Sequence, residues 1–551
     1  MRSRITNHKF VTVMAVLAAL FRPAHAHAHA SRGGITLAAI GSFDSFNPFI
    51  LAGTAPRGIY RVFQPLLRSS DFRAGALEPA IATGMTLSDD GRRLVFILNP
   101  KARFSTGERV TPQDVIWTFH ILRTEGQPFF QGYYRDIVSI AADGPDRVVF
   151  RLSGTAGASL PDDIATEPIL PESFWRHRSF GRPLHTPPPG SGPYRIAAVR
   201  MGSSVTYRRV KHWWGDTLAD DRARYRLERI TVRYFRDAAV AFQAFRAGRI
   251  DLWVETDPAR WAHGYDVRAF RAGRVKRAAL PLAIPAGMHG FVFNLRHRPL
   301  RNRDLREALA LTFDFPWMNR VLFDGFYARN ASFFANSPLA AATGVPALPA
   351  GGADGHDDAA LRRAIALLGR AGWHLRHFRL VNQAGRPLTI SVLIDDAALR
   401  APLRAWQAIL TRIGVRLRID LVDAATFAAR KASFRYDLIQ ADFPAPERPG
   451  AAEADYFGCA SARVPGGDNL AGLCDAQIDA LIGRLAAARD EPARIAAGRA
   501  LDRALRRLWI VVPGWYAKTV HLAWWNRYKV PARTPRLGYD IDLWAARQAP
   551  R

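Results

Sequence analysis

Hydrophobic positions change period repeatedly along this chain, and each change marks an element. Residues 35–40 form a short, almost unbroken apolar run, the pattern of a buried strand. Residues 58–67 (GIYRVFQPLL) space their apolar positions as a helix would. Asp90-Gly91 reads as a turn, residues 94–98 as a strand, and Thr106-Gly107 as another turn. The following text, TPQDVIWTFHILRT, has the chemistry of a helix start. Thr111 is placed to cap, Pro112 suits the first helical position, and Asp114 is placed to close a capping box. Val115, Phe119 and Leu122 then fall on one stripe, which predicts a buried helix face.

Further along, residues 181–193 are rich in Pro and Gly and predict a crossing between lobes. DAAVAFQAFRAGRIDLW predicts a helix that ends at Gly248 and a strand that starts near Asp251. Residues 325–357 are rich in Ala, Gly and Pro and read as a long loop. Residues 387–423 read strand, helix, strand, with Gly414 as the helix stop, which is a βαβ unit. Residues 473–509 predict two amphipathic helices. In FVFNLRHRPLRNRDLREALALTF, Asn302 is a candidate N-cap and Asp304 sits in the first turn, where the helix dipole favours an anion. Leu305, Ala308, Leu309 and Thr312 or Phe313 line one face, and Arg303 and Arg306 lie off it. The mix is α/β, without an evident internal repeat.

Composition bounds the class. The chain has 551 residues, enough for two to four domains, and its 48% hydrophobic content is that of a globular protein. The formal net charge of +29 raises the question of a nucleic-acid partner. Of the 77 basic residues, however, only Lys9, Lys101, Lys211, Lys276, Lys431, Lys518 and Lys529 are lysines, and the arginines are scattered over the full length. That distribution reads as a solvated arginine-rich surface, with a weak preference for anionic surfaces, rather than a nucleic-acid arm. The arginine-rich stretch before residue 313 also lacks the second helix of a helix-turn-helix reader.

The N-terminus carries Arg2, Arg4 and Lys9, then twelve apolar residues (10–21), then small-x-small cleavage sites from Ala24 to Ala30. This is the pattern of a secretory signal peptide, expected to be cleaved near Ala26 to Ala30, and its apolar run is too short to span a bilayer, which needs about 20 residues. Removing it takes four basic residues (Arg2, Arg4, Lys9, Arg22) and no acidic ones, so the mature chain carries 29 − 4 = +25. His25, His27 and His29 read either as a metal tract or as residues lost with the signal. No Cys follows the cleavage sites, so no lipid anchor is expected. Cys459 and Cys474 are the two cysteines of the chain. An oxidising compartment favours their pairing, and the alternative is two unpaired structural thiols.

Motifs for chemistry are sparse. The sequence has no HExxH, GxSxG, Walker loop or zinc-type Cys spacing. His374 and His377 would share one face of a helix but have no third ligand, and no carboxylate pair stands out. A scattered triad stays open, with a lowered expectation of an enzyme.

Five stretches carry a resemblance. SFDSFNPF matches the start of a mature domain, FSTGERVTPQDVIWTF is similar to a G-x-x-(V/L)-T-A-x-D-V signature with Pro112 in place of Ala, and GSGPYRI is similar to GTGPY with Ser191 in place of Thr. AFRAGRIDL and FNLRHRPLRNRDLREALALTFD follow in the same order and spacing. Together they resemble the bacterial extracellular solute-binding proteins of family 5, the oligopeptide- and dipeptide-binding components of ABC importers. Three later stretches, PGAAEADYFG, DNLAGLCDAQIDALI and VVPGWYAKTVHLAWWNRYKVP, are most similar to a peptide or murein-peptide branch.

The resemblance implies a two-lobed periplasmic-binding-protein-like fold of the cluster C type with an extra small inserted domain. It implies a discontinuous first lobe (31–76, 185–288 and 513–551), the inserted domain (77–184) and a second lobe (289–512). It implies a non-catalytic, cofactor-free periplasmic monomer that closes on a small peptide, delivers it to permease subunits in the inner membrane, and has no nucleic-acid partner. The ligand contacts it implies are Ser42, Phe43 and Asp44 after the first strand, and Gln440, Asp442 and Phe443 at the strand YDLIQADF. Asp442 and Glu447 are the candidates to pair with a peptide amine, Glu453 a more distant third, and each reads equally as a solvated loop carboxylate. Trp515 and Tyr516 are either cleft aromatics or core at a strand end. The competing readings are a secreted peptide or cell-wall hydrolase and a family member for a nickel chelate, haem or oligosaccharide.

Overall fold

A computed structural model describes residues 33–547 except 155, 156, 158, 266, 267, 354, 356 and 489. The expected signal peptide and His25, His27 and His29 lie outside the described residues. The apolar run at the start of the described chain is the strand Gly34–Ile40, at the centre of a seven-stranded sheet. Arg229–Phe235 and Leu252–Glu255 flank it in parallel, with Ile35 beside Ile230 and Leu37 beside Leu252. Antiparallel strands complete the sheet: Ser204–Arg209 and Tyr194–Arg200 on one side, Thr519–Trp525 and Val275–Pro281 on the other. Strands distant in sequence therefore build one sheet.

A five-stranded sheet runs in the order Arg416–Leu421, Thr389–Ile394, Leu438–Phe443, Met288–Phe293, Val511–Pro513. The first two pair in parallel and are joined by the helix Arg400–Arg412, which is the βαβ unit read from the sequence. Gly414 follows that helix with φ 79°, a conformation a side chain disfavours. The strands Ala82–Leu87, Arg93–Leu98, Arg147–Leu152 and Ile137–Ala142 form a four-stranded antiparallel sheet, which packs on the helix Pro112–Glu125. That helix starts as its sequence predicts. The Asp114 N–H reaches Thr111 Oγ1 at 3.4 Å, and the Thr111 N–H reaches Asp114 Oδ2 at 2.9 Å. Val115, Phe119 and Leu122 are fully buried.

The four-stranded sheet shares one core with the seven-stranded sheet, since Phe96, Phe119 and Phe150 belong to the same cluster as Ile35, Val205 and Ile230. Two further cores lie on the five-stranded sheet, one under Leu309, Trp406 and Leu410, the other under Phe443, Phe457 and Leu505. The chain passes from the seven-stranded to the five-stranded sheet through residues 282–287 and returns through 514–518. These segments are pinned by Leu282 N–H donating to Lys518 O, Ala286 N–H to Ala335 O, and Asn336 Nδ2 to the carbonyls of Leu282 and Ile284. Gly287 is required here. Its φ is 67°, and a Cβ would stand 2.0 Å from Phe443 O.

Four local expectations fail for identifiable reasons. Residues 58–67 give only the short 3-10 turn Ile59–Val62, and Pro65 then stops any helix. Their apolar residues are buried on several sides, so helical spacing there reflects enclosure. His374 and His377 share no helix: His374 lies in a hairpin strand, and His377 and Phe378 form its turn at φ 48° and 60°. Among the described residues no group of three His, Cys, Asp or Glu is placed to hold a metal. Within the long loop at 325–357, Ala328–Arg329 pairs with Trp515–Tyr516 as a two-stranded ribbon. Arg306 is buried, with its guanidinium donating to the carbonyls of Leu300, Arg301, Leu508 and Trp509. Burial lowers its pKa to about 10. Among the described residues no helix is long and apolar enough to cross a membrane.

Candidate functional site

One cavity lies on the five-stranded sheet and a second beside the loop that follows its strand Leu438–Phe443. The first, about 220 Å³, is walled by the strands Met288–Phe293 and Leu438–Phe443 and by the returning crossing at Gly514 and Trp515. Alternation along Leu438–Phe443 sends Ile439 and Phe443 into one core and leaves Gln440 and Asp442 on the opposite face, toward the cavity. Asp442 stands opposite His289 in the antiparallel ladder. His289 Nδ1 is 2.5 Å from Asp442 Oδ1, and its Nε2 is 3.0 Å from Ala286 O. Both ring nitrogens thus face acceptors, an arrangement that only the doubly protonated ring satisfies. The hydrogen bond to Asp442 raises the imidazole pKa accordingly. The Asp442 side chain remains 72% exposed, so the carboxylate is open to a further donor. Gln440 Oε1 is buried and has no hydrogen-bond donor among the described residues. Phe291, Leu399 and Trp515 supply the apolar wall.

The second cavity, about 240 Å³, lies between residues 446–448 and the part of the molecule that carries Gly75, Tyr133, Asp162 and Arg536. Residues 446–448 follow the last residue of a five-stranded-sheet strand, so they form a strap across the gap. Glu447 Oε2 accepts the Gly75 N–H at 2.7 Å, and its other oxygen pairs with Arg536. Arg448 pairs with Asp162 at 3.2 Å and donates to Gly75 O at 3.1 Å. Behind the strap burial raises the pKa of Asp162 and Asp163. Burial and the neighbouring Asp163 raise Tyr133 to about 12. Glu167 is pushed up to about 7 by burial and accepts the Tyr134 hydroxyl at 2.6 Å.

A third space, about 520 Å³, opens beside the strands Gly34–Ile40 and Leu252–Glu255 of the seven-stranded sheet. It reaches Ile40, the carboxyl end of its parallel strand, where open α/β sheets commonly bind ligands.

The sequence-derived contacts divide. Gln440, Asp442 and Trp515 line the first cavity, and Glu447 lines the second. Phe43 and Phe443 are corrections. Phe43 is 1% exposed and packs against Tyr234 at 5.0 Å, and Phe443 is 3% exposed against Phe333 and Phe457. Both are apolar rings at strand ends that core packing takes inward. Ser42 donates to Gly202 O at 3.3 Å, tying its loop to the turn before Ser204–Arg209, and Asp44 Oδ1 accepts the Thr54 N–H within the loop itself. Trp515 is also stacked on Phe315 at 5.8 Å, while Tyr516 is half-buried in the ribbon with Ala328. Glu453 is buried, and burial alone raises its pKa to about 7. Cys459 and Cys474 are joined in a disulfide that closes the loop between them. His289, Arg448, Arg536 and Asp162 were not singled out by the sequence. Each is one polar residue with no motif around it, and only the strand register and the strap bring them to these cavities.

Comparison with known proteins gives three consistent findings. Residues 76–455 match the profile of "Bacterial extracellular solute-binding proteins, family 5 Middle". The chain is 32% identical over 551 residues to the probable peptide-binding protein YejA of Agrobacterium fabrum, covering 94% of this chain and 89% of that one. It is 29% identical over 552 residues to the peptidoglycan-binding protein YepA of the same organism, covering 93% and 90%. Among solved structures, NikA from Brucella suis in complex with Fe(III)-EDTA superposes with a TM-score of 0.75 at 22% identity, covering 93% of this chain and 100% of that one. The MppA periplasmic murein tripeptide binding protein, in its unliganded open form, superposes with a TM-score of 0.70 at 16% identity, covering 94% and 98%. Those two likenesses establish the two-lobed fold.

Proposed function

Because the chain belongs to family 5 of the bacterial extracellular solute-binding proteins, the substrate-binding components of ABC transporters, we propose that it captures a short peptide between its lobes and hands it to a membrane permease. We read 31–76, 185–288 and 513–551 as the first lobe, 77–184 as the inserted domain and 289–512 as the second lobe. The mature protein then works in the periplasm as a monomer, after cleavage of its signal peptide, and leaves the bonds of its ligand intact.

The observation that carries this reading is the pair of acceptors on one cavity wall, the open Asp442 carboxylate and the undonated Gln440 Oε1. A wall of acceptors calls for a donor-rich ligand, and a peptide's ammonium and backbone N–H groups are such donors. The apolar wall at Phe291 and Trp515 suits a side chain, and space for water keeps selectivity broad. The likeness to YepA makes a murein-derived peptide the second reading.

Calorimetry of the mature protein against short peptides, a murein tripeptide and anionic chelates tests this. Peptide binding is expected, and Asp442→Asn should weaken it tenfold to about a hundredfold, since a hydrogen bond to a charged group contributes about 1.5–3 kcal/mol. Tight chelate binding with none for any peptide would refute the reading. So would cleavage of the added peptide.

A further inference from the structure

One half of the seven-stranded sheet's outer face is uncovered. The helix Ala238–Arg246 packs over Ala38, Trp253, Ala523 and Trp525 and closes the other half. Beyond it the strands Arg229–Phe235, Ser204–Arg209 and Tyr194–Arg200 alternate strictly. Ile230, Val232, Val205 and Tyr207 point into the shared core, so Arg229, Thr231, Arg233, Ser204, Thr206 and Arg208 face outward. A bulge between Ile196 and Ala198 keeps both Arg195 and Arg200 on that side.

The register sets these side chains in rows. Arg195, Arg208 and Arg229 stand directly opposite one another on three adjacent strands. Next come Thr206 and Thr231, with hydroxyls 3.3 Å apart, and then Arg200, Ser204 and Arg233. The floor is part of an open dish of about 840 Å³ whose lining residues include no carboxylate. Like charges directly opposite in a sheet destabilise it. None of these arginines has an ion-pair partner among the described residues, whereas Arg61, Arg68, Arg224, Arg260 and Arg527 are paired with buried or half-buried carboxylates. A self-repelling array left uncompensated within the chain is explained if an anion compensates it from outside.

We infer that this face docks the protein on an anionic phospholipid surface. One feature favours headgroups over a single polyanionic strand. The arginines form a two-dimensional array, about 10 Å across the strands and about 13 Å along them, rather than a track. Guanidinium groups interspersed with hydroxyls suit phosphate oxygens. Docking would hold a binding protein beside the bilayer that contains its permease, and it does not depend on what the cleft binds.

The test is co-sedimentation of the mature protein with phosphatidylglycerol-containing vesicles and with pure phosphatidylcholine vesicles. Binding is expected only with the anionic lipid and should be lost at high salt. The triple variant Arg208→Glu/Arg229→Glu/Arg233→Glu should lose it by at least tenfold, since each arginine at an anionic surface contributes about fivefold. Its ligand binding should be unchanged and its melting temperature should not fall, because a carboxylate at 208 faces Arg195. A control variant, Arg362→Glu/Arg376→Glu/Arg386→Glu, makes the same charge change at exposed positions of the five-stranded-sheet half and should still bind. Equal loss in both triples would assign the effect to total charge and overturn the proposal. So would full binding by the first triple, or a wild-type protein that ignores vesicles and binds a single-stranded oligonucleotide through this face.

Discussion

Glu447 offers the sharpest perturbation, because the structure gives it a role different from that implied by family resemblance. The resemblance makes it a candidate for a peptide amine, yet its carboxylate already joins residues across the cleft, accepting the Gly75 N–H at 2.7 Å and pairing with Arg536. The backbone bond to a carboxylate contributes about 1.5 kcal/mol. The pair with Arg536 contributes about 0.5 kcal/mol after discounting for a side chain that is 36% exposed. Glu447→Ala should therefore favour the open arrangement by about 2 kcal/mol, roughly thirtyfold. Small-angle scattering of the ligand-free mature protein should register this as a larger radius of gyration, and Arg536→Ala should move it the same way by less. Peptide affinity should fall with it, because binding is scaled by the competent fraction. If Glu447→Ala weakens binding while the free protein's scattering curve superposes on wild type, the carboxylate touches ligand instead, and the strap argument fails.

Three further outcomes follow from single groups. Burial raises Glu453 to about 7, so the fold holds its proton more tightly than the unfolded chain does, and stability should fall as pH rises from about 4.5 to about 7. Glu453→Gln should therefore stabilise the protein by up to about 3 kcal/mol at pH 8 and very little at pH 4, as read by denaturant unfolding; an equal effect at both pH values would contradict this. Cys459→Ser/Cys474→Ser opens a loop with a sequence separation of 15 and should cost about 3 kcal/mol, matched by adding reductant to wild type. Arg306→Ala leaves buried carbonyls without donors and should cost about 3 kcal/mol or more in the same assay, with ligand affinity unchanged.

Local rules were legible where local chemistry decides the outcome. Thr111, Pro112 and Asp114 act within one helical turn, and Gly414 needs only its own positive φ, so neither depends on distant residues. The βαβ unit was legible because period and length agree over its whole span. Arg306 was misread because helical periodicity reports which face a residue is on, while the carbonyls of Leu508 and Trp509 that take its charge inward come from some 200 positions later. The cleft was half legible. Gln440 and Asp442 come from the family resemblance, whereas His289 reaches Asp442 only through antiparallel register between strands about 150 residues apart. The strap partners Gly75, Asp162 and Arg536 come from three separate stretches and carry no shared pattern. The arginine dish was hidden for the opposite reason. Its residues look like everyone else's in an arginine-rich chain until pairing lines them up.

The most direct test of the central claim is mass spectrometry of what the protein carries. Mature protein purified from the periplasm without denaturation, then acid-denatured, should release short peptides, and peptides added back should be recovered uncleaved. Release of a metal chelate or a sugar in place of peptides, or of shortened fragments of an added peptide, would contradict the account.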